Sequence, residues 1–228
     1  MEHALEHSLP EPGGRFRNSN LAQAWLVLVL AIFFGAALAA VQVNLSGIIL
    51  ENKQNETLER VPELIWGIEG ARKVAAQKQA VKIIPGTLSI KSGAKTKTFN
   101  LFKVIREKEL AGWVIKAGGQ GYADKIDLLI GVDPGGKTLT GLFILDQKET
   151  PGLGNKITFP EWRRQFVGKS TARPLVVAKG NPAGGATIDA ITGATISSRS
   201  VTHIVNQVMA AVKGNLTPET VQLSERRK

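Results

Sequence analysis

The sequence predicts an α+β protein: a single N-terminal transmembrane helix, then a mixed α/β domain built on a mainly antiparallel sheet. Three observations predict it. No charged residue occurs from Asn18 to Leu50. Strand-like segments with short connections follow between Phe99 and Asp146, as in a meander. An apolar stripe at helical spacing then joins Val201, Ile204, Val205, Val208 and Val212.

Residues 1–20 form a polar tail containing Pro10, Pro12, Gly13 and Gly14, a composition that resists ordering. The span is placed at 21–45. Its centre, Ala24 to Val41, is apolar throughout, and about 20 such residues at ~1.5 Å rise cross a hydrocarbon core of ~30 Å. Trp25 sits at the expected interfacial level. A cleaved signal peptide is the alternative, with Ala37-Leu38-Ala39 as its cleavage site. The apolar run, however, exceeds the usual h-region of roughly 7–15 residues and follows a long polar stretch. Arg15 and Arg17 lie closer to the span than Lys53 and Arg60 do, which favours a cytoplasmic tail and a main domain outside.

Residues 46–95 read as a stalk and the start of the soluble domain. Leu58, Val61, Leu64, Ile65 and Ile68 recur at helical spacing, and Pro62 is expected to start or kink that helix. The main domain is placed at 96–215. Strands are expected at 99–106, 113–116, 125–132, 139–146 and 175–178, with a turn at Asp133-Pro134-Gly135-Gly136. A short helix should begin at Pro160, with Trp162 and Phe166 one turn apart. Another should follow Thr195 and stop near Gly214. Residues 216–228 read as a solvated tail.

Composition narrows the chemistry. The chain of 228 residues has no cysteine, which excludes disulfides, thiolate metal sites and iron–sulfur ligation. Of the three histidines, His3 and His7 lie in the tail, and His203 reads as an ordinary helix residue, so no metal site is expected. The net charge is +10, all of the excess lying beyond residue 50. The basic residues are scattered over strands and turns, without a helix-turn-helix, zinc spacing or an aromatic-rich RNA signature. A membrane or protein partner is expected for this surface, not nucleic acid. No acid–base pair or nucleophile suited to an organic substrate is evident, and no catalytic residue is named.

The most unusual stretch is Asp189-Ala-Ile-Thr-Gly-Ala-Thr-Ile-Ser-Ser198, at the entrance of the expected helix. Gly193 permits a left-handed backbone and Ala194 leaves room beside it. Two readings stand open here. Thr195, Ser197 and Ser198 are all able to cap the helix. Equally, a helix N-terminus has unpaired N–H groups and a positive dipole end, which favour a phosphate. Upstream, Glu149-Thr-Pro-Gly-Leu-Gly154 is a Pro-Gly turn after a strand. Gly121-Tyr122 precedes another strand, and Tyr122 is the only tyrosine, suited either to stacking or to core filling.

Thr192-Gly193-Ala194-Thr195 with Asp189 ahead resembles the flavinylation motif of FMN-binding domains in ion-pumping redox complexes. The Glu149–Gly154 segment and the Gly121-Tyr122 pair are similar to elements of the same domains. The order of elements from about residue 20 to 215 is nearest to the G-type subunits of Rnf ion-translocating electron-transport complexes. The C-type subunits of the sodium-pumping NADH:quinone reductase are related, although their tetrapeptide begins with Ser where this chain has Thr192. Gln147 stands where these domains often have His.

The resemblance implies FMN held covalently as a phosphothreonyl ester at Thr195, installed by a flavin transferase with FAD as donor. It implies a recognition or activation role for Asp189. Thr192, Gly193 and Ala194 are implied as the attachment loop, and Glu149, Thr150, Leu153, Gly121 and Tyr122 as contacts to the flavin. It further implies an electron-carrying, single-pass flavoprotein of a bacterial inner membrane. Its partners would be the other membrane proteins of a translocase that links ferredoxin and NAD to ion movement. Two other functions fit parts of this sequence: a membrane-anchored FMN-binding sensor or regulator, and a membrane-anchored binding module without flavin.

Overall fold

The computed structural model describes residues 20–92, 95–180, 185–217 and 220–223. The expected tail over 1–20 lies outside the described residues except for Asn20. So do Asn181–Gly184 of the expected turn region and most of the tail at 216–228. The chain divides into two compact units, Met1–Lys53 and Gln54–Lys228.

In the first unit, helix α1 (Asn20–Ala76) begins with a run of exposed apolar side chains from Leu21 to Ile49, long and apolar enough to cross a membrane. Two of its polar side chains bond to the helix itself. Asn44 Nδ2 donates to Ala40 O at 2.8 Å, and Ser46 Oγ to Val43 O at 2.8 Å. That is how such groups are satisfied where water is absent.

The second unit is a sheet with helical layers on both faces. Strands β1 (Val81–Ser92), β2 (Lys95–Arg106), β3 (Glu109–Gln120), β4 (Lys125–Val132) and β5 (Leu139–Asp146) form an antiparallel meander. A separate parallel pair joins β6 (Val176–Ala178) and β7 (Thr187–Asp189). With a short β8 (Gln222–Leu223) against β1, the order of the main sheet is β5-β4-β3-β2-β1-β8. Between β5 and β6 lie a 3₁₀ turn (Gly154–Thr158), α2 (Pro160–Arg163) and a second 3₁₀ turn, where Trp162 and Phe166 meet edge-on at 5.3 Å. Helix α3 (Thr195–Val212) follows β7.

Burial explains the layers. On one face, Val201, Ile204, Val205, Val208 and Val212 of α3 pack on Leu88, Phe99, Leu101, Trp113, Ile115, Ile126, Leu128 and Ile130. On the other, Val61, Leu64 and Ile65 of α1 pack on Val104, Val114 and Leu129. Gly131 and Gly141 are cross-strand partners in β4 and β5, and a Cβ on either would stand within 2.8 Å of Leu64 O. The paired glycines let the α1 backbone lie directly on the sheet.

Three expectations need correction. The helix through 54–76 is a layer of the domain where it packs, and its break is at Gly67, not Pro62. Gly67 has φ 70° and ψ 172°, a region essentially reserved for glycine. Pro62 is carried inside the helix, beside buried Val61 and Leu64, whose packing offsets the lost hydrogen bond. Strand β1 runs unbroken through Pro85-Gly86, in the 46–95 stretch where no strand is expected. Strands β7 and β8 also lie outside the expected set. They are only three and two residues long, and their pairing is non-local.

Candidate functional site

Strand β7 ends at Asp189, and the chain reaches α3 through Ala190–Ala194. Ala194 N donates to Ile191 O at 2.9 Å, and Gly193 takes φ 81°, which closes the loop tightly. Ser198 Oγ ties the loop to the helix: it accepts from Ile191 N at 3.1 Å and donates to Ala194 O at 3.1 Å. The N-cap is Ala194, with no side-chain capping bond, and Thr195 is the first helical residue. The capping reading of Thr195, Ser197 and Ser198 is therefore corrected. A residue already in helical conformation at the first position does not cap its own helix. The first-turn N–H groups remain oriented outward with the positive end of the dipole. A phosphate on the half-buried Thr195 fits this position.

Glu149 is the centre of the surrounding network. It is 3% exposed. Its Oε1 accepts from Tyr122 N at 2.9 Å and Ala123 N at 3.1 Å, and its Oε2 accepts from Ser197 Oγ. Its own N–H donates to Gln147 Oε1 at 2.6 Å. Both oxygens are thus used inside the protein, and the side chain does not point outward as a surface contact would. Tyr122, by contrast, is 62% exposed, which removes the core-filling reading for its ring.

The following turn has Pro151 and Gly152 at its corners, Gly152 at φ 75°, and is closed by Leu153 N donating to Thr150 O at 3.1 Å. This is type II geometry. It leaves Thr150 exposed and turns Leu153 toward the Ala190–Ala194 loop. A Cβ on Gly193 would lie 3.0 Å from Leu153 Cδ2. Gly154 then passes under Glu149 and Ser197, and a Cβ there would stand 2.7 Å from Ser197 Oγ.

A second tie reinforces the Gly121 loop. Lys148 Nζ and Asp124 Oδ2 are 2.9 Å apart. The hydrogen bond from Lys148, the backbone N–H of Lys125 and the Lys148 charge hold the Asp124 carboxyl below its ordinary pKa, and Asp124 raises that of Lys148. The structure thus brings together Gly121, Tyr122, Glu149, Leu153, Gly193 and the first turn of α3.

Asp189 is engaged elsewhere. Its Oδ1 accepts from Gly180 N at 3.1 Å, and its backbone N–H donates to Gln165 Oε1 at 2.6 Å. Ser197, read from the sequence only as a candidate cap, and Gly154 are contributors whose roles here the sequence does not single out. Their only signal is their place inside the two motifs. A cleft of about 580 Å³ runs along the next turns of α3, lined by Ile196, Arg199, Ser200 and His203 with Gln120 and Val176.

Comparisons with known proteins agree with this arrangement. Residues 121–210 match the FMN-binding domain family. The chain is 44% identical over 100 residues to the G-type subunit of the Na⁺-translocating ferredoxin:NAD⁺ oxidoreductase complex of Acetobacterium woodii, covering 43% of this chain and 47% of that protein. It is 31% identical over 138 residues to the C-type subunit of the Na⁺-translocating NADH-quinone reductase of Vibrio anguillarum, covering 58% and 51%. The chain thus spans about half the length of these curated relatives. Among solved structures, NqrC of Shewanella oneidensis aligns with a TM-score of 0.56 at 21% identity, over 70% of this chain and 93% of that one. This likeness establishes the fold. The G-type subunit of the proton-translocating ferredoxin:NAD⁺ oxidoreductase complex of Clostridium ljungdahlii is 34% identical over 146 residues, with 61% of this chain and 76% of that protein covered. By that coverage, and by the FMN-binding domain seated on its site loops, the chain belongs to the family of G-type subunits of ion-translocating oxidoreductases.

Proposed function

We propose that this chain is an electron-carrying flavoprotein subunit of a membrane complex that couples electron transfer between ferredoxin and NAD to ion translocation, with FMN joined to Thr195 through a phosphoester. The observation that carries the reading is the position of Thr195: first residue of an 18-residue helix that no side chain caps, beside exposed Thr192 and Gly193. Family membership supports the cofactor and the complex. The names of the relatives supply ferredoxin and NAD as the expected electron partners.

Attachment is a transfer from FAD catalysed by a separate flavin transferase. Thr195 Oγ loses its proton and bonds to the FMN phosphorus, a pyrophosphate P–O bond breaks, and AMP leaves. Asp189 belongs to the segment that the transferase recognises. Once attached, FMN supplies reversible electron uptake and release. The chain's own residues then hold it. The helix dipole and first-turn N–H groups stabilise the phosphodiester charge. Leu153, Thr150 and Tyr122 offer exposed surface beside the loop. Residues 21–45 anchor the chain in the membrane with the N-terminal tail in the cytoplasm, and 96–215 form the flavin domain outside.

The test is in-gel fluorescence of the denatured full chain, purified from cells that contain the transferase. The wild-type band is expected to fluoresce and Thr195→Val to be dark while still folded. A dark wild-type band sinks the covalent reading. Co-purification with other membrane redox proteins is expected as well, and its absence would favour a free-standing sensor.

A further inference from the structure

Among the described residues, Glu149 is the one buried acidic side chain. Three donors converge on it: two backbone N–H groups from the Gly121 loop and the hydroxyl of Ser197. Among the described residues no lysine or arginine pairs with it. Its neighbour Lys148 is committed to Asp124. The donors therefore hold the carboxylate without cancelling its charge. A charge so placed, away from water and without a counter-ion, acts over several ångströms with little screening.

The charge is close to the attachment point. Ser197, which donates to Glu149, lies two residues beyond Thr195 in the first turn of α3. Gly154 crosses both side chains, and a Cβ there would be 2.9 Å from Glu149 Oε2. Leu153, one residue back, borders Gly193 of the attachment loop. We infer that Glu149 is not a flavin contact but a fixed buried negative charge beneath the attachment loop, which lowers the reduction potential of the flavin carried on Thr195. It acts by its field, opposing each added electron, and by clasping the Gly121 loop, the Pro-Gly turn and α3 into one support. The inference rests on the Thr195 reading.

Two substitutions separate field from clasp, because they move the potential in opposite directions. Glu149→Gln removes the charge and keeps the shape. Ser197→Ala keeps the charge and removes a donor that partly offsets it. A merely structural role would shift both variants the same way. The full chain in detergent, produced with the transferase, is titrated potentiometrically through its visible flavin absorbance. Unfolding midpoints are measured in parallel on flavin-free Thr195→Val versions. Both substitutions are expected to lower the unfolding midpoint. Glu149→Gln is expected to have a more positive potential than wild type, and Ser197→Ala a more negative one.

An unchanged or more negative potential in Glu149→Gln overturns the inference, as does an unchanged or more positive one in Ser197→Ala. If Glu149→Gln does not fold, Ser197→Ala decides alone by the same criterion. Wild-type protein without covalent flavin would refute the Thr195 reading. Covalent flavin with the wrong signs would refute only the role of Glu149.

Discussion

Alanine at Gly152 and alanine at Gly154 should both weaken the domain, but by different amounts and for different reasons. At Gly152 the backbone has φ 75° and nothing lies within 4 Å of an added Cβ, so the cost is conformational only. An L-residue in the left-handed region loses roughly 1–2 kcal/mol. Reduced freedom of the unfolded chain returns about 0.4–1 kcal/mol of that. The net loss is about 1 kcal/mol by the same bookkeeping. At Gly154 an added Cβ would sit 2.7 Å from Ser197 Oγ, 2.8 Å from Glu149 Cβ and 2.9 Å from Glu149 Oε2. None of these atoms has free space to retreat into, since Glu149 and Ser197 are both buried. Overpacking costs roughly 1–3 kcal/mol. Displacing Ser197 from the carboxylate leaves a buried acceptor short of a donor, which adds about 1–3 kcal/mol. Gly154→Ala should therefore lose about 2–6 kcal/mol by these two effects. The assay is urea unfolding of the full chain in detergent, followed by the fluorescence of Trp113 and Trp162, which are buried in this domain. Equal losses, or a larger loss at Gly152, would refute the packing of the Pro-Gly turn beneath Glu149.

Three further outcomes are expected. Leu64→Ala should destabilise the domain by about 2–4 kcal/mol in the same unfolding assay, because Leu64 is 4% exposed and packs α1 on the sheet. Lys148→Gln should raise the Asp124 titration midpoint toward its ordinary value of 3.8, as followed by carboxyl NMR. Because the Asp124 pKa is lowered in the folded protein, its contribution to stability is present above the unfolded value and lost as pH falls through the folded one, so that acid-side loss should shrink in Lys148→Gln. Asp189→Ala removes the acceptor of Gly180 N and should cost about 1 kcal/mol. It should also reduce the covalent flavin fluorescence of the denatured band.

What the sequence made legible was local. The boundaries of β4 and β5 follow from apolar runs separated by Asp133-Pro-Gly-Gly136, and α3 follows from a stripe whose five members are all buried. Strand β1 was hidden because Pro85 and Gly86 interrupt its pattern. Pairing with Phe102 and Leu101 overrides that signal, and among the described residues only Gly86 and Thr87 pair on the other side, with β8. A strand this near the edge of a sheet tolerates proline. The site motifs were legible by resemblance, but the place of Glu149 was not. A glutamate before a Pro-Gly turn reads as surface. It is buried only because its donors come from Tyr122, Ala123 and Ser197, between 26 and 48 residues away.

The convergence of those distant residues follows from the topology. In an antiparallel meander β3 and β5 both run opposite to β4, so they run parallel to each other and finish at the same end of the sheet. Gly121 follows the last residue of β3, and Gln147 follows the last residue of β5. The Gly121 loop and the Glu149 turn must therefore emerge side by side. What the meander does not fix is the start of α3, which arrives from the separate β6–β7 pair. The Ser197–Glu149 bond fastens that start to the two loops, so the segment bearing Thr195 takes its position from the sheet as well as from its own loop. With every donor in place both carboxylate oxygens are satisfied, and removing the Ser197 hydroxyl leaves buried Oε2 without its donor. If the chain carries a flavin as proposed, such a support gives it a fixed polar surrounding that does not have to reorganise at each electron transfer.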